Sequence, residues 1–437
     1  MHRRWTIGVL LGAGVLVNYI DRISLSVAAP QLQHDLHLSP QAVGFLFSAF
    51  FWSYSLAQLP GGLLLDRFGI KTVGRWGTFL WSAASAATAL CSGYAGIFAA
   101  RLLLGIAEAP GMIGNQKATG LWFPTKERCR STAIFDSAAK FANVIGVPVV
   151  AFFVVGFGWR WGFAVTAFLS FLYFVAYWLM YRDPSEDKHL SRQEHAYILA
   201  GGAVPEGQPA TGQANMLAYV LQNRKVWAHM IGYSAYGYSF YLFLTWLPGY
   251  LVESLHMSIL KSAGFATIPW IFASFADLLI GGFFVDYLIG RGLDESKVRK
   301  VAIACGMAAG LAVFGAAYTT NPFWALVWIT IALSGLSAAA PVASSIVSLI
   351  SPRGATATIG GIVNLTNNLM GVAAPVITGF IVGLTHSFAG AFLVAGLVLI
   401  VGIFSYLVVL GRIEPIPDPP AGNSAEIISG DPSRART

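Results

Sequence analysis

The fold class this sequence predicts is an all-α integral membrane protein: twelve transmembrane helices in two six-helix bundles. Three observations predict it. The chain is 56% hydrophobic and only 11% charged, with a mean hydropathy of +0.65, whereas soluble domains carry roughly 25% charged residues. Apolar segments of about 20 residues, the length a helix needs to cross a bilayer core roughly 30 Å thick, recur along almost the whole chain. A pattern also repeats: GGLLLDRFG at residues 61–69 and GGFFVDYLIG at 281–290 each place a glycine four residues before an aspartate, at the end of the second span of a half. Such duplication marks transporter architectures built from two related bundles.

The spans follow from apolar runs between charged or turn-rich breaks. The first, residues 6–30, begins after the basic MHRRW. That start resembles a secretory signal, but the run is too long, has no small-residue cleavage site and leads through QLQHDLHLSPQ into another span. The N-terminus is therefore expected to be retained. The second and third spans, 41–65 and 74–94, flank DRFGIKT; the fourth, fifth and sixth cover 96–121, 131–156 and 161–181. A polar stretch at 182–225, with DPSEDKHLSRQEH and GGAVPEGQPATGQ, is predicted to be a cytoplasmic linker between an N-terminal bundle (1–181) and a C-terminal bundle (226–411). The remaining spans are 226–252, 263–288, 299–319, 322–348, 356–384 and 388–411, and the tail 412–437 lacks the apolar content to fold.

Orientation follows from the basic residues, which concentrate in cytoplasmic loops. Of the 27 Lys and Arg, only Arg22, Arg101, Lys117 and Lys140 fall inside spans, and only Arg160 and Lys261 fall on the other face. The rest lie on one face or at the termini, so both termini are expected to be cytoplasmic, in the inner (plasma) membrane. The formal net charge of +7 reflects this asymmetry, so it implies no nucleic-acid partner. Cys91, Cys129 and Cys305 have neither disulfide nor metal spacing, and no HExxH, GxSxG or Cys/His cluster is present, so neither an enzyme nor a bound metal or cofactor is expected.

Several motifs in order carry a resemblance. GGLLLDRFGIKTVG resembles the loop signature joining the second and third helices of the major facilitator superfamily. NYIDR in the first span, RLLLGIAEAP and WFPTKER around the fourth, GWRWGF before the sixth and LTWLPGYL in the seventh resemble its anion:cation symporter branch, which includes bacterial galactonate, hexuronate and glucarate transporters and the sialin-type carriers. The resemblance spans nearly the whole chain. It implies the major facilitator fold, alternating access around a central site, and a gating loop at Gly62, Asp66, Arg67 and Gly69, with Asp286 as the second-half counterpart.

VNYIDRIS, inside the first span, is the stretch most in need of explanation, because charges at the bilayer centre are costly and mark ion or substrate pathways. Successive helical residues point about 100° apart, so Asp21 and Arg22 must serve two different contacts. In the fourth span Arg101 and Glu108 stand seven residues apart, on one face, among small residues that admit close packing. One reading makes these four a structural network that neutralises itself. The other divides the labour. Burial favours a protonated carboxylate and a nearby arginine favours an ionised one, so Asp21 and Glu108 are the candidate proton carriers. Arg22 and Arg101, always charged and fork-shaped, are candidates for attracting an organic anion or for pairing with an emptied proton site. The resemblance implies the same roles.

Lys140, in FDSAAKFANVIG of the fifth span, either faces the cavity or is occupied structurally, by pairing with Asp136 one turn away or by snorkelling. Sugar-acid carriers of the branch commonly read SGQYF here; SAAKF instead adds a positive charge suited to a dianion. Lys117 is expected to snorkel, and Asp277 is expected to make a structural hydrogen bond. Tyr19, Tyr54, Asn143, Asn364 and Asn368 are the neutral polar candidates, Asn364 and Asn368 sharing a helical face. The resemblance implies substrate contacts at Tyr19, Tyr54 and Asn364. The tenth span reads SAAAPVASSIVSLISPRG, without the Trp-Pro and acidic pattern of many sugar-acid carriers, which reshapes the pocket. The expected function is proton-coupled import of a small organic anion by a monomer. The first choice of substrate is a hexonate, hexuronate or hexarate, and an aromatic acid or small dicarboxylate is the alternative. Exchange without protons and a transport-dead receptor on the same fold are the rival mechanisms.

Overall fold

The computed structural model describes residues 2–124, 127–203, 214–352 and 355–418, and every regular element among them is helical. The first six spans are α1 (Arg3–Asp35), α2 and α3 (the arms 40–68 and 70–90 of one run, Pro40–Leu90), α4 (Tyr94–Trp122), α5 (Arg128–Phe157) and α6 (Trp159–Met180). The second six are α7 (Arg224–Glu253), α8 (Ile259–Gly290), α9 (Glu295–Tyr318), α10 (Pro322–Ile350), α11 (Thr356–Thr385) and α12 (Ala389–Val409). Ten helices among the described residues are long and apolar enough to cross a bilayer, the joined α2–α3 run counting as one of them. α7 completes the twelve; its GYSAYGYSFY stretch lowers its hydropathy, and Tyr236, Tyr238 and Tyr241 are buried against protein.

Two expectations, the loop after the second span and the end of the first, are corrected. The loop predicted between the second and third spans shrinks to one residue: Gly69 alone leaves helical geometry, at φ 76° and ψ 163°, in the left-handed range that favours glycine. The linker carries the helices Arg192–Ala200 and Ala214–Leu221, the first capped by Ser191, whose hydroxyl accepts from the Glu194 amide. The first span does not end at Pro30, which lies inside α1. The tail beyond residue 418, loop cations Lys126 and Arg353, and the side chains of Arg130 and Asp136, the latter expected to pair with Lys140, lie outside the described residues.

Without a hydrophobic driving force between helices in lipid, close approach depends on small residues, and glycines supply it here. A Cβ on Gly105 of α4 would stand 2.2 Å from Ser53 Oγ and 2.4 Å from the Phe50 carbonyl of α2. Gly12 and Gly146 press α1 and α5 together, against Ile134 and against Ile20 and Ile23 respectively. The two halves meet where α2 lies on α11 and α5 on α8. Away from the linker they are closed. Gly44 abuts the Pro375 carbonyl, Gly379 abuts the Pro40 carbonyl, Phe47 meets Trp246 edge-on at 5.2 Å, and Ser26 donates to the Thr245 carbonyl.

At the linker end a charge cluster fixes α1. Arg4 donates to Glu127 and Glu194, each at 2.8 Å, and Arg3 to Asp187 at 2.9 Å. Glu194 also accepts from the backbone amides of Arg3 and Arg4, supplying partners to first-turn donors that the helix itself cannot satisfy. Glu194→Ala is therefore expected to lower stability by about 2–3 kcal/mol, through loss of a buried pair and a helix cap. Glu186→Ala, which breaks the more exposed pair with Lys71, should change it by less than about 1 kcal/mol. Thermal unfolding of the purified protein separates the two.

Candidate functional site

α1 sends its two adjacent charges to different places, as a 100° step requires. Asp21, 1% exposed, faces α3 and α6: Trp81 Nε1 and Ser170 Oγ both donate to its Oδ2. Arg22 faces α2 and α4. Its Nε donates to Glu108 Oε2 at 3.2 Å, and its guanidinium lies 4.9, 4.6 and 4.8 Å from the ring centres of Tyr19, Phe50 and Tyr54. Rings this close add cation–π attraction and exclude water from one side of the charge. The pair is incompletely satisfied. Arg22 Nη2 and Glu108 Oε1 are both buried without a hydrogen-bond partner, an arrangement native proteins rarely leave unexplained.

Arg101 is placed differently from Arg22. It is 3% exposed, and its Nη1 and Nη2 donate to the backbone carbonyls of Asp21 and Arg22, at 3.1 and 3.4 Å. It thus straps α4 to the part of α1 that carries both charges.

From the other half, α7 and α11 contribute Tyr241 and Asn368. The Tyr241 hydroxyl donates to Asn368 Oδ1 at 3.0 Å, its ring packs on Phe51 at 4.7 Å, and Asn368 Nδ2 is buried without a partner. Asn143 of α5 donates to the Ala139 carbonyl and leaves its Oδ1 buried and unpartnered. Asn364 is exposed and donates to Gln58 across the α2–α11 seam at 3.4 Å. Asn364 and Asn368, placed on one helical face by their spacing, therefore meet different surroundings.

Two pairings depart from expectation. Lys140 forms an ion pair with Asp277 of α8, across the two halves, where a structural hydrogen bond was expected of Asp277. Lys117 does not simply snorkel; it pairs with Asp66 at the end of α2. Of the other loop residues, Arg67 lies over the Phe68 ring, a Cβ on Gly62 would stand 3.9 Å from Ile113, Gly69 makes the helical break, and Asp286 is exposed near the end of α8. His229 shares a hydrogen bond with Tyr406 at 3.1 Å. No group of three metal-ligating side chains gathers among the described residues.

Trp81, Ser170 and Tyr241 escaped sequence reasoning because no spacing within one helix reveals a partner on another. Asp277 did carry a signal. A carboxylate and a lysine deep inside apolar spans are candidates to find each other, because ions in the membrane interior pair with one another.

The sequence matches the Major Facilitator Superfamily over residues 11–293. The chain belongs to that superfamily. This facilitator is 40% identical to an uncharacterized transporter, YybO, of Bacillus subtilis (strain 168), over 95% of this chain and 96% of that one. It is 34% identical to the probable galactarate/D-glucarate transporter GudP of the same organism, over 94% and 93%. Among solved structures, its fold is similar to that of a bacterial homolog of the human lysosomal transporter Spinster in an inward-facing, unoccupied conformation. There the TM-score is 0.75 at 16% identity, over 93% of this chain and 97% of the other. The facilitator is thus a multi-pass membrane transporter, related to transporters of sugar acids.

Proposed function

We propose that this facilitator imports a small sugar acid together with protons across the plasma membrane, both termini facing the cytoplasm. The observation that carries the reading is the Arg22–Glu108 pair: a cation and a carboxylate buried among aromatic rings, each with one polar atom idle. A substrate carboxylate takes the free edge of the Arg22 fork, the geometry such a fork suits. Glu108 then loses its cation, and because an unpaired buried carboxylate costs several kcal/mol, it takes a proton instead. Binding of anion and proton are thereby coupled. Asp21, held by Trp81 and Ser170, is the second proton carrier, and Arg101 keeps the α1 backbone that bears both charges in place. Tyr19, Tyr54, Asn143, Asn364 and Asn368 offer amide and phenol groups to substrate hydroxyls.

Residues 1–181 and 226–411 act as rocking bundles joined by the linker 182–225, with Gly62, Asp66, Arg67, Gly69 and Asp286 in the loops that gate them. Relationship to sugar-acid transporters supports the substrate class. The test is accumulation of labelled D-glucarate, D-galactonate and benzoate in proteoliposomes, with and without an imposed inward proton gradient. Concentrative uptake of a sugar acid that collapses with a protonophore is expected. Uptake indifferent to the gradient, or confined to benzoate, overturns the reading.

A further inference from the structure

Beyond the Arg22 site, a second cation and carboxylate meet in the membrane interior: Lys140 of α5 and Asp277 of α8, with side chains 14% and 15% exposed. One observation connects them to the first pair. Gly12 packs on Ile134 and Gly146 on Ile20 and Ile23, so α1 and α5 run side by side with Arg22 level with Ile145. Lys140 then lies five residues nearer the linker, roughly 8 Å in depth at 1.5 Å per residue. Asp277 also opens an eight-residue π-helical segment, Asp277–Phe284, an irregularity that recurs at functional positions.

We propose that Lys140 binds a carboxylate of the substrate, and that Asp277 is the internal stand-in for that carboxylate, displaced when a dicarboxylate occupies the site. This rests on the sugar-acid reading above and names its subclass: an anion with carboxylates at both ends of a short chain. An extended six-carbon diacid places its terminal carbons about 6 Å apart, across five C–C bonds of about 1.5 Å. With a hydrogen bond at each end, such a diacid is long enough to cover the roughly 8 Å of depth between Arg22 and Lys140. Lysine suits the second position, because its ammonium is a point charge on a flexible stem and can leave one carboxylate for another. The exchange has a mechanical consequence. Lys140 and Asp277 stand on opposite halves, so their pair ties α5 to α8 in the empty protein, and a bound diacid releases the tie.

The test measures binding of D-glucarate and of D-gluconate, the monoacid with the same carbon skeleton, to the purified full-length protein by calorimetry. The variants are Lys140→Gln, Lys140→Arg, Asp277→Asn and the double Lys140→Gln/Asp277→Asn. Lys140→Gln is expected to weaken D-glucarate at least about tenfold (about 1.4 kcal/mol) while moving D-gluconate less than about threefold. Lys140→Arg, which keeps the charge, should retain diacid binding. Asp277→Asn should tighten D-glucarate by removing the competitor, and the double variant should stay as weak as Lys140→Gln. Equal loss of both acids in Lys140→Gln, unchanged D-glucarate binding in that variant, or recovery of it in the double variant overturns the proposal and makes the pair a structural bridge. Wild-type protein that binds neither acid refutes the sugar-acid reading itself, and this inference with it.

Discussion

Glu108→Gln is expected to abolish accumulation of D-glucarate against a gradient while leaving counterflow of the same acid within about tenfold of wild type. Glutamine imitates the protonated carboxyl. It can still accept from Arg22 Nε where Glu108 now does, at 3.2 Å, but it no longer neutralises the guanidinium, so the cation is permanently open to substrate. What the variant lacks is the ability to give the proton up. Exchange of one substrate for another needs no such step, whereas net symport does. The comparison is made in proteoliposomes by following labelled D-glucarate under an imposed proton gradient and, separately, against a preloaded unlabelled pool. Concentrative uptake surviving in this variant would remove Glu108 from the coupling step and leave Asp21 as its carrier.

The second large effect belongs to Arg22. Arg22→Lys keeps the charge but loses the planar fork, and a lysine cannot present two parallel donors to a carboxylate. D-Glucarate affinity should fall at least about tenfold (about 1.4 kcal/mol). Arg22→Ala should abolish binding and also destabilise the fold by about 3–5 kcal/mol, because it removes the partner of Glu108, whose side chain has no exposed surface and must then be protonated to stay buried. The double variant Arg22→Ala/Glu108→Ala removes both members and should recover much of that stability without recovering binding. Thermal unfolding and calorimetry on the three variants resolve the two contributions. Binding retained in Arg22→Ala would place the anion site elsewhere.

Twelve spans were legible because each is a run of apolar residues interrupted by charge, and a bilayer leaves few alternatives to a helix of that length. The break at Gly69 was harder, since DRFGIKT looks like a loop by composition, yet one glycine in the left-handed range suffices to turn the chain. Adjacency on α1 foretold that Asp21 and Arg22 would diverge. It could not say that Asp21 would meet a tryptophan indole and a serine hydroxyl, or that Arg101 would hold backbone carbonyls. Those choices depend on how helices rotate about their axes, which glycine contacts such as Gly105 against Ser53 decide. Lys140 and Asp277 illustrate the limit most clearly. Each was visible as an unusual charge, and their pairing across the halves arises only from the meeting of α5 and α8.

The account rests on sugar acid and proton moving together, and the most direct measurement is the pH of a weakly buffered medium outside proteoliposomes when D-glucarate is added with no gradient imposed. Alkalinisation in step with D-glucarate entry, absent from Glu108→Gln, is the predicted result. D-Glucarate entering with no change in external pH would contradict it and identify a carrier that moves the anion without protons.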